Sequence, residues 1–220
     1  MKPMTLDAMR ETFFCSLLSD VLDNLGYRDQ ALPPSIRPLD EELVMCGRAR
    51  TGIFMDVYAP PPAGENPYAL EIKLIDSLAP GDLPVLACGK TGRIGPWGGL
   101  LSTASMVRGA AGAVMDGLVR DIREIRAMKF PVFHAGIGPL DSKGRGILAQ
   151  IDVPIECGGV RVAPGDLVFG DADGCVVIPQ AIEAEVIAAA RERLKGERGT
   201  MEALRAGRKL GDVFTEFGVL

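Results

Sequence analysis

Residues 97–124 read WGGLLSTASMVRGAAGAVMDGLVRDIRE, and this stretch decides the fold. Ala110 to Met115 is small and apolar enough to be a buried strand and ends at Asp116-Gly117. Arg120 and Asp121 therefore fall just past a strand's carboxyl end, where α/β folds gather ligands. Upstream, Gly98-Gly99 precedes Leu100 to Val107, whose apolar spacing and small residues predict a helix packed closely on a sheet. The first amides of such a helix point free donors at any anion in front of them. Arg120 offers a planar fork of donors that fits a carboxylate two bonds at a time. Asp121 offers a hard oxygen of the kind Mg2+ prefers, with Glu124 following as a further acid. The pair suits an α-keto acid held beside a divalent metal. An Arg-Asp dipeptide in isolation would read as a weak, exposed ion pair, so the surrounding pattern carries the assignment.

Working outward, Thr12 to Leu25 repeats apolar residues at helical spacing and stops at Gly26, as a helix C-cap would. A Pro-containing loop, Ala31 to Leu39, follows, and Cys46 to Tyr58 reads as a strand. Ala59-Pro60-Pro61-Pro62-Ala63-Gly64 must be a loop, because successive prolines donate to neither helix nor sheet. Leu70 to Leu78 predicts a short amphipathic helix ended by Ala79-Pro80-Gly81-Asp82. The segment Ala79-Pro80-Gly81-Asp82-Leu83 recurs as Ala163-Pro164-Gly165-Asp166-Leu167. P-G-D is ordinary turn chemistry, and as a trace of shared architecture it predicts two similarly entered strands. Asp173-Gly174 between apolar runs signals a hairpin, which favours turn over metal site for Asp171 and Asp173. From Ala181 to Leu204 the chain is rich in Ala, Glu, Arg and Leu and predicts helix, interrupted near Gly196 and Gly199.

With 220 residues, 47% hydrophobic and 24% charged, the chain can bury one sizeable core, and one domain over 1–220 with a helical extension over 181–220 is expected. Net charge is −5, and no Lys/Arg cluster interleaves with aromatics, so direct binding of nucleic acid is not expected. Met1 to Glu11 carries charges at Lys2, Asp7, Arg10 and Glu11, and no run approaches a membrane span, which predicts a cytoplasmic protein off the membrane. Cys15, Cys46, Cys88, Cys157 and Cys175 are scattered and contain no C-x-x-C pair, and they read as reduced, mostly buried thiols.

Taken together, Leu18–Leu25 (LSDVLDNL) with Gly26, Ile36–Leu39, Gly47-Arg48-Ala49, residues 97–124, Pro131-Val132-Phe133 and Pro164-Gly165-Asp166 running into Asp171–Pro179 resemble the RraA-like family. That family includes the 4-hydroxy-4-methyl-2-oxoglutarate/4-carboxy-4-hydroxy-2-oxoadipate aldolases and the RNase E regulators. The resemblance implies an α/β fold, the RraA-like swivelling-domain sandwich, with flanking N- and C-terminal helices, assembled as a homotrimer or a dimer of trimers with sites between subunits. It implies a lyase, aldolase or decarboxylase, that acts on a small 2-oxo acid and releases pyruvate through a metal-stabilised enolate. Arg120 would grip the substrate carboxylate and the enolate, Asp121 would anchor Mg2+ or Mn2+, and the amides of Gly99, Leu100 and Leu101 would line the pocket. A glutamate from a neighbouring subunit's C-terminal region would support metal-bound water, with Glu197 the best match and Glu192 second. Where the aldolases look like D-x20-R-D this chain has Gly99. That departure removes a partner for metal-bound water and a proton-relay group, which argues against aldol cleavage of the aldolase type and leaves β-keto acid decarboxylation, which needs chiefly an enolate-stabilising metal and cation, chemically open. The alternatives are a non-enzymatic binding protein similar to the RNase E regulators, and another metal-assisted hydratase or hydrolase.

Three further motifs exclude rival chemistries. Gly89-Lys90-Thr91 resembles the end of a phosphate-binding loop, but the required earlier glycine falls on Pro84. Gly136-Ile137-Gly138 begins a dinucleotide fingerprint whose third glycine position holds Asp141. His134, the sole histidine, supports neither a zinc cluster nor a Ser-His-Asp order and reads as structural or pocket-lining before acid-base. Arg48, Arg50, Lys90 and Arg93 are further candidate substrate contacts, with solvated surface as the default.

Overall fold

The computed structural model describes residues 4–89 and 92–218. Its elements in chain order are helices α1 (Leu6–Thr12) and α2 (Cys15–Asn24), strands β1 (Arg37–Pro38) and β2 (Met45–Asp56), helix α3 (Ala69–Asp76), strand β3 (Asp82–Ala87), helix α4 (Gly99–Val107), strand β4 (Ala113–Val119), helix α5 (Ile122–Ala127), strands β5 (Val132–Ile137), β6 (Gly146–Ile151), β7 (Ile155–Cys157), β8 (Val160–Val162), β9 (Leu167–Asp171) and β10 (Gly174–Ile178), and helices α6 (Glu183–Arg205) and α7 (Leu210–Phe217). One eight-stranded sheet runs β1-β5-β4-β3-β2-β9-β10, with β6 also on β2. Strands β2 to β5 pair parallel and carry the helices α3, α4 and α5 in their crossovers. The others join antiparallel.

The parallel strands are near-continuous apolar runs because both faces are covered. Alternate residues go to opposite faces, the period-2 geometry of a strand. Val85, Val114 and Phe133 enter a core shared with the β7–β8 hairpin. Their neighbours Leu86, Met115 and Val132 enter a second core with Leu74 and Ile75 of α3 and Ile125 of α5. A third core packs α1, α2 and α6 over β9 and β10.

Several expectations change in detail. The single N-terminal helix is two, broken at Phe13 and Phe14, which are extended. The break lets the Asp171 carboxylate accept the Cys15 amide at 2.8 Å and cap α2, a contact across the chain that local spacing does not encode. The helix does stop at Gly26, whose φ of +88° and the bonds Tyr27 N to Leu22 O and Gly26 N to Asp23 O form a Schellman cap. β1 lies inside the expected loop Ala31–Leu39. The predicted break in α6 is absent: the helix runs unbroken through Gly196 and Gly199. Gly199 is where α7 crosses, and a Cβ there would stand 2.9 Å from the Phe217 ring. The glycine serves packing there.

The repeated A-P-G-D-L segments are the same turn. Gly81 and Gly165 have φ of +85° and +87°, Asp82 Oδ2 accepts the Ala79 amide at 2.9 Å, and Asp166 Oδ2 accepts that of Ala163 at 2.8 Å. They launch β3 and β9, which both pair with β2. Asp171 and Asp173 belong to the β9–β10 hairpin, as expected, and the Asp173 amide donates to Asp171 Oδ1.

Candidate active site

β4 does not end at Asp116-Gly117. Its pairing with β5 slips between Met115 and Leu118, and the strand continues to Val119. Asp116 at the slip accepts the amides of Cys88 and Gly158, so its carboxylate ties loops together. The continuation brings β4 against the segment before α4: Leu118 N donates to Ile94 O, Trp97 bridges Val119, and Arg120 N donates to Trp97 O at 3.0 Å. Trp97 is 1% exposed, stacks on Phe130, and satisfies its indole N–H on Ser102 of α4 at 2.8 Å. That anchor presses Gly98-Gly99 against Arg120-Asp121.

The approach is closer than a side chain at residue 98 would permit. A Cβ on Gly98 would lie 2.6 Å from Asp121 Oδ2. Asp121 takes the left-handed conformation, φ 59° and ψ 34°, which Asp tolerates better than most residues. Its Oδ2 accepts the Gly99 amide, the first of α4, at 3.0 Å. The Leu100 and Leu101 amides meet no acceptor among the described residues. Thus one of the three amides expected to line the pocket is used by Asp121, and two remain for a ligand. Residue 99 does not require a positive φ. The space a side chain would enter there is instead filled by the Glu124 carboxylate.

These residues border a cavity of about 320 Å3, of the size that takes a small organic acid. One wall is apolar: Ile72, Pro96, Trp97, Leu100 and Leu101, with Leu100 86% exposed at the rim. The other is polar and comes from three places in the chain: Tyr68 and Glu71 at the start of α3, Arg120 and Asp121 after β4, and Asp141 and Ser142 between β5 and β6. The Arg120 guanidinium makes no hydrogen bond among the described residues; Asp121 Oδ2 is 4.0 Å from its Nε and Asp141 Oδ1 is 3.8 Å from its Nη2. Its fork is oriented by charge and left open.

Tyr68, Glu71, Asp141 and Ser142 were not singled out from the sequence as site residues. Tyr68 Oη donates to Asp141 Oδ2 at 2.6 Å, and burial followed by that bond pushes its phenol up to about 12. Burial pushes the Asp141 carboxyl up, but the Tyr68 hydroxyl, the Arg120 charge and two backbone amides outweigh it, and the net shift is downward. Glu71 is 7% exposed and accepts Ser142 Oγ at 3.2 Å. Burial, aided by Asp141, pushes it up to about 7 against the opposing pull of Ser142 and Arg120.

No group of three or more His, Cys, Asp or Glu among the described residues is arranged to cage a metal. The donors fit a hard cation all the same, because Mg2+ and Mn2+ accept one or two protein carboxylates and complete their shell with water and substrate oxygen. Asp121, half-exposed at the cavity edge, offers a carboxylate of that kind. Glu197 does not line this cavity; it sits on α6, pairs with Arg193 at 3.2 Å, and borders a separate cleft. Glu192 pairs with Lys195 on the same helix. Either would reach an Arg120-Asp121 site only from another copy of the chain.

The remaining candidates are accounted for by the fold. Arg48 is held by Glu183, and Arg50 by Asp82 and Asp152. Arg93 lies 4.4 Å over the Tyr58 ring. Lys90 and Thr91 lie outside the described residues. His134 is buried in β5, and burial lowers its pKa, in keeping with a structural role. All five cysteines are buried and free, and burial pushes their thiols up, Cys46 to about 12.

The fold and site define an α/β protein that presents a cation, a metal-competent carboxylate and free helix amides at the carboxyl ends of parallel strands. The profile of the RraA-like family, described as Aldolase/RraA, matches residues 15–177, and the chain belongs to that family. It is 37% identical over 188 residues, 85% of this chain and 82% of the relative, to a Halalkalibacterium halodurans protein named provisionally as a 4-hydroxy-4-methyl-2-oxoglutarate aldolase. It is 28% identical over 160 residues, 72% of this chain and 90% of the relative, to the 4-hydroxy-4-methyl-2-oxoglutarate aldolase of Thermus thermophilus. Among solved structures, an uncharacterized protein from Pseudomonas syringae pv. tomato superposes with TM-score 0.83 at 31% identity, over 96% of this chain and 92% of that one. Streptomyces coelicolor RraAS2, described as an unusual member of the RNase ES inhibitor RraA family, superposes with TM-score 0.76 at 27% identity, over 88% and 93%. No helix among the described residues is long and apolar enough to cross a membrane.

Proposed function

We propose that the chain is a divalent-metal-dependent carbon–carbon lyase acting on a small 2-oxo acid and releasing pyruvate. The observation that supports this reading best is the open Arg120 fork beside Asp121 in a cavity faced by the free Leu100 and Leu101 amides. Arg120 binds the substrate carboxylate, and its charge stabilises negative charge that develops on the 2-oxo oxygen. Asp121 would hold the cation, Mg2+ or Mn2+, which when bound would supply Lewis acidity to the reacting oxo acid. The apolar wall of Trp97, Leu100 and Leu101 excludes water from the enolate. In a homotrimer or a dimer of trimers, Glu197 or Glu192 of an adjacent copy would complete the polar rim.

The test is pyruvate release from 4-hydroxy-2-oxo acids and oxaloacetate, with and without added metal, in wild type and Asp121→Asn. Asparagine preserves the left-handed backbone, so the comparison isolates the charge. Metal-dependent turnover that Asp121→Asn abolishes is expected; turnover indifferent to metal or to this change removes Asp121 as the anchor. A chain that turns over none of these substrates yet binds an RNase E-type protein would favour the reading suggested by the RNase inhibitor description of RraAS2.

A further inference from the structure

Cleaving a 4-hydroxy-2-oxo acid requires a group that removes the 4-hydroxyl proton and later returns one to carbon 3. Gly99 brings no side chain for this, and the Glu124 carboxylate beside it is exposed and lies outside the cavity lining. The Arg120 guanidinium offers only donors and no acceptor, so it cannot act as the base. Asp121 also lines the cavity, but its carboxylate is engaged by the Gly99 amide and assigned to the cation, so the titratable groups left there are Tyr68, Glu71 and Asp141. Tyr68 has its proton committed to Asp141, and Asp141 faces the Arg120 guanidinium, so both are engaged in holding that cation. Glu71 is different: it is almost wholly buried in the wall opposite the apolar side, held by the Ser142 hydroxyl, itself 2% exposed.

The geometry points to Glu71 as the acid-base catalyst of this site, a role resting on the lyase reading above. The ionised Glu71 carboxylate takes the proton from the substrate's 4-hydroxyl. The O–H electrons become the new C4=O bond, the C3–C4 pair moves to form the enolate of pyruvate, and Arg120 balances its charge. After the carbonyl product leaves, the protonated Glu71 delivers the same proton to C3. Pyruvate forms and the carboxylate is restored, with no net proton and no redox partner. Reaction type and substrate class then agree with an aldolase even though residue 99 carries no acid.

The groups facing Glu71 set the pH at which it works. Asp141 from the β5–β6 loop pushes its proton affinity up; Arg120 after β4 and the Ser142 hydroxyl push it down; Tyr68 at the N-cap of its own helix and the buried Cys88 thiol just after β3 interact with it by charge alone. The net result is a carboxyl that titrates at about 7, matched to proton transfer near neutral pH.

The test measures two reactions in wild type, Glu71→Gln and Ser142→Ala: cleavage of 4-hydroxy-2-oxo acids, and exchange of pyruvate methyl protons for deuterium, which reads proton transfer at C3 alone. Glu71→Gln should lower kcat for both by roughly a hundred- to ten-thousandfold. KM and the binding of oxalate, a planar mimic of the pyruvate enolate, should change little. The wild-type rate should rise with pH through an ionisation near 7 that Glu71→Gln lacks. Ser142→Ala removes a bond that favours the ionised form, so it should move that limb to higher pH. Full exchange and cleavage in a folded, oxalate-binding Glu71→Gln protein, or a limb unmoved in Ser142→Ala, overturns the role of Glu71 and leaves the lyase reading standing. A wild type that neither cleaves nor exchanges overturns both.

Discussion

Arg120 and Glu71 carry opposite electrostatic problems in one cavity. The Arg120 guanidinium makes no hydrogen bond among the described residues, so a substrate carboxylate supplies what its surroundings withhold. Arg120→Lys is expected to reduce kcat/KM about ten- to a hundredfold, the equivalent of one charge-assisted contact of roughly 1.5 to 3 kcal/mol, because an ammonium cannot make two parallel bonds. Unchanged steady-state kinetics would reduce Arg120 to an ordinary ion-pair residue. Glu71 has its carboxyl raised from 4.5 to about 7. Between those values the folded state holds a proton that the unfolded chain has released, so stability falls as pH rises through the window and is level above it, a loss of about 3 kcal/mol. Glu71→Gln removes the loss. Denaturant melts should find the variant more stable than wild type by up to that amount at pH 8 and little different at pH 4; equal stabilities at pH 8 would mean Glu71 is not desolvated as described. A site that gains stability when it loses its acid is one organised for chemistry.

Among the elements, the decisive contact is the start of α4 against the end of β4. Two glycines make it, for different reasons. Gly98 is needed because Asp121 Oδ2 lies where its side chain would be, whereas Gly99 leaves a space that the mobile end of Glu124 fills. Gly99→Asp should therefore fold, with Glu124 swung aside and an acid gained in the first turn of α4, where it suits the helix dipole. Since Glu71 already manages the proton, the substitution should raise aldol cleavage by far less than the roughly hundredfold minimum of a newly positioned acid-base group. A hundredfold rise, measured as kcat on 4-hydroxy-4-methyl-2-oxoglutarate, would show instead that residue 99 was the missing catalyst. Element boundaries followed the same division between local and distant causes. The Gly26 stop and the P-G-D turns were legible because their chemistry is local. The break at Phe13-Phe14 was not, because a carboxylate from β9 accepts the Cys15 amide there, and neither was the packing reason for Gly199, which lies against an aromatic ring from α7.

At the scale of the whole molecule, Glu197 tests assembly. It lies on α6 away from the cavity of its own chain, so Glu197→Gln should lower turnover only if copies associate with α6 of one at the site of another. Sedimentation should then find a trimer or a multiple of it, and a monomer with full activity would exclude an intersubunit site. The sequence by itself determined the α/β class, the family, and the Arg120-Asp121 pair, since a buried strand, a turn and two charged residues in succession are written within one short stretch. Tertiary structure alone decided what faces that pair. Glu71, Tyr68, Asp141 and Ser142 come from segments distant in the chain, and nothing in their local sequence distinguishes a catalytic acid from a solvated one. Only the packing of α3 and the β5–β6 loop around the end of β4 strips water from Glu71. Desolvation is a property of neighbours in space, and it turned an ordinary helical glutamate into a carboxyl that holds its proton to neutral pH.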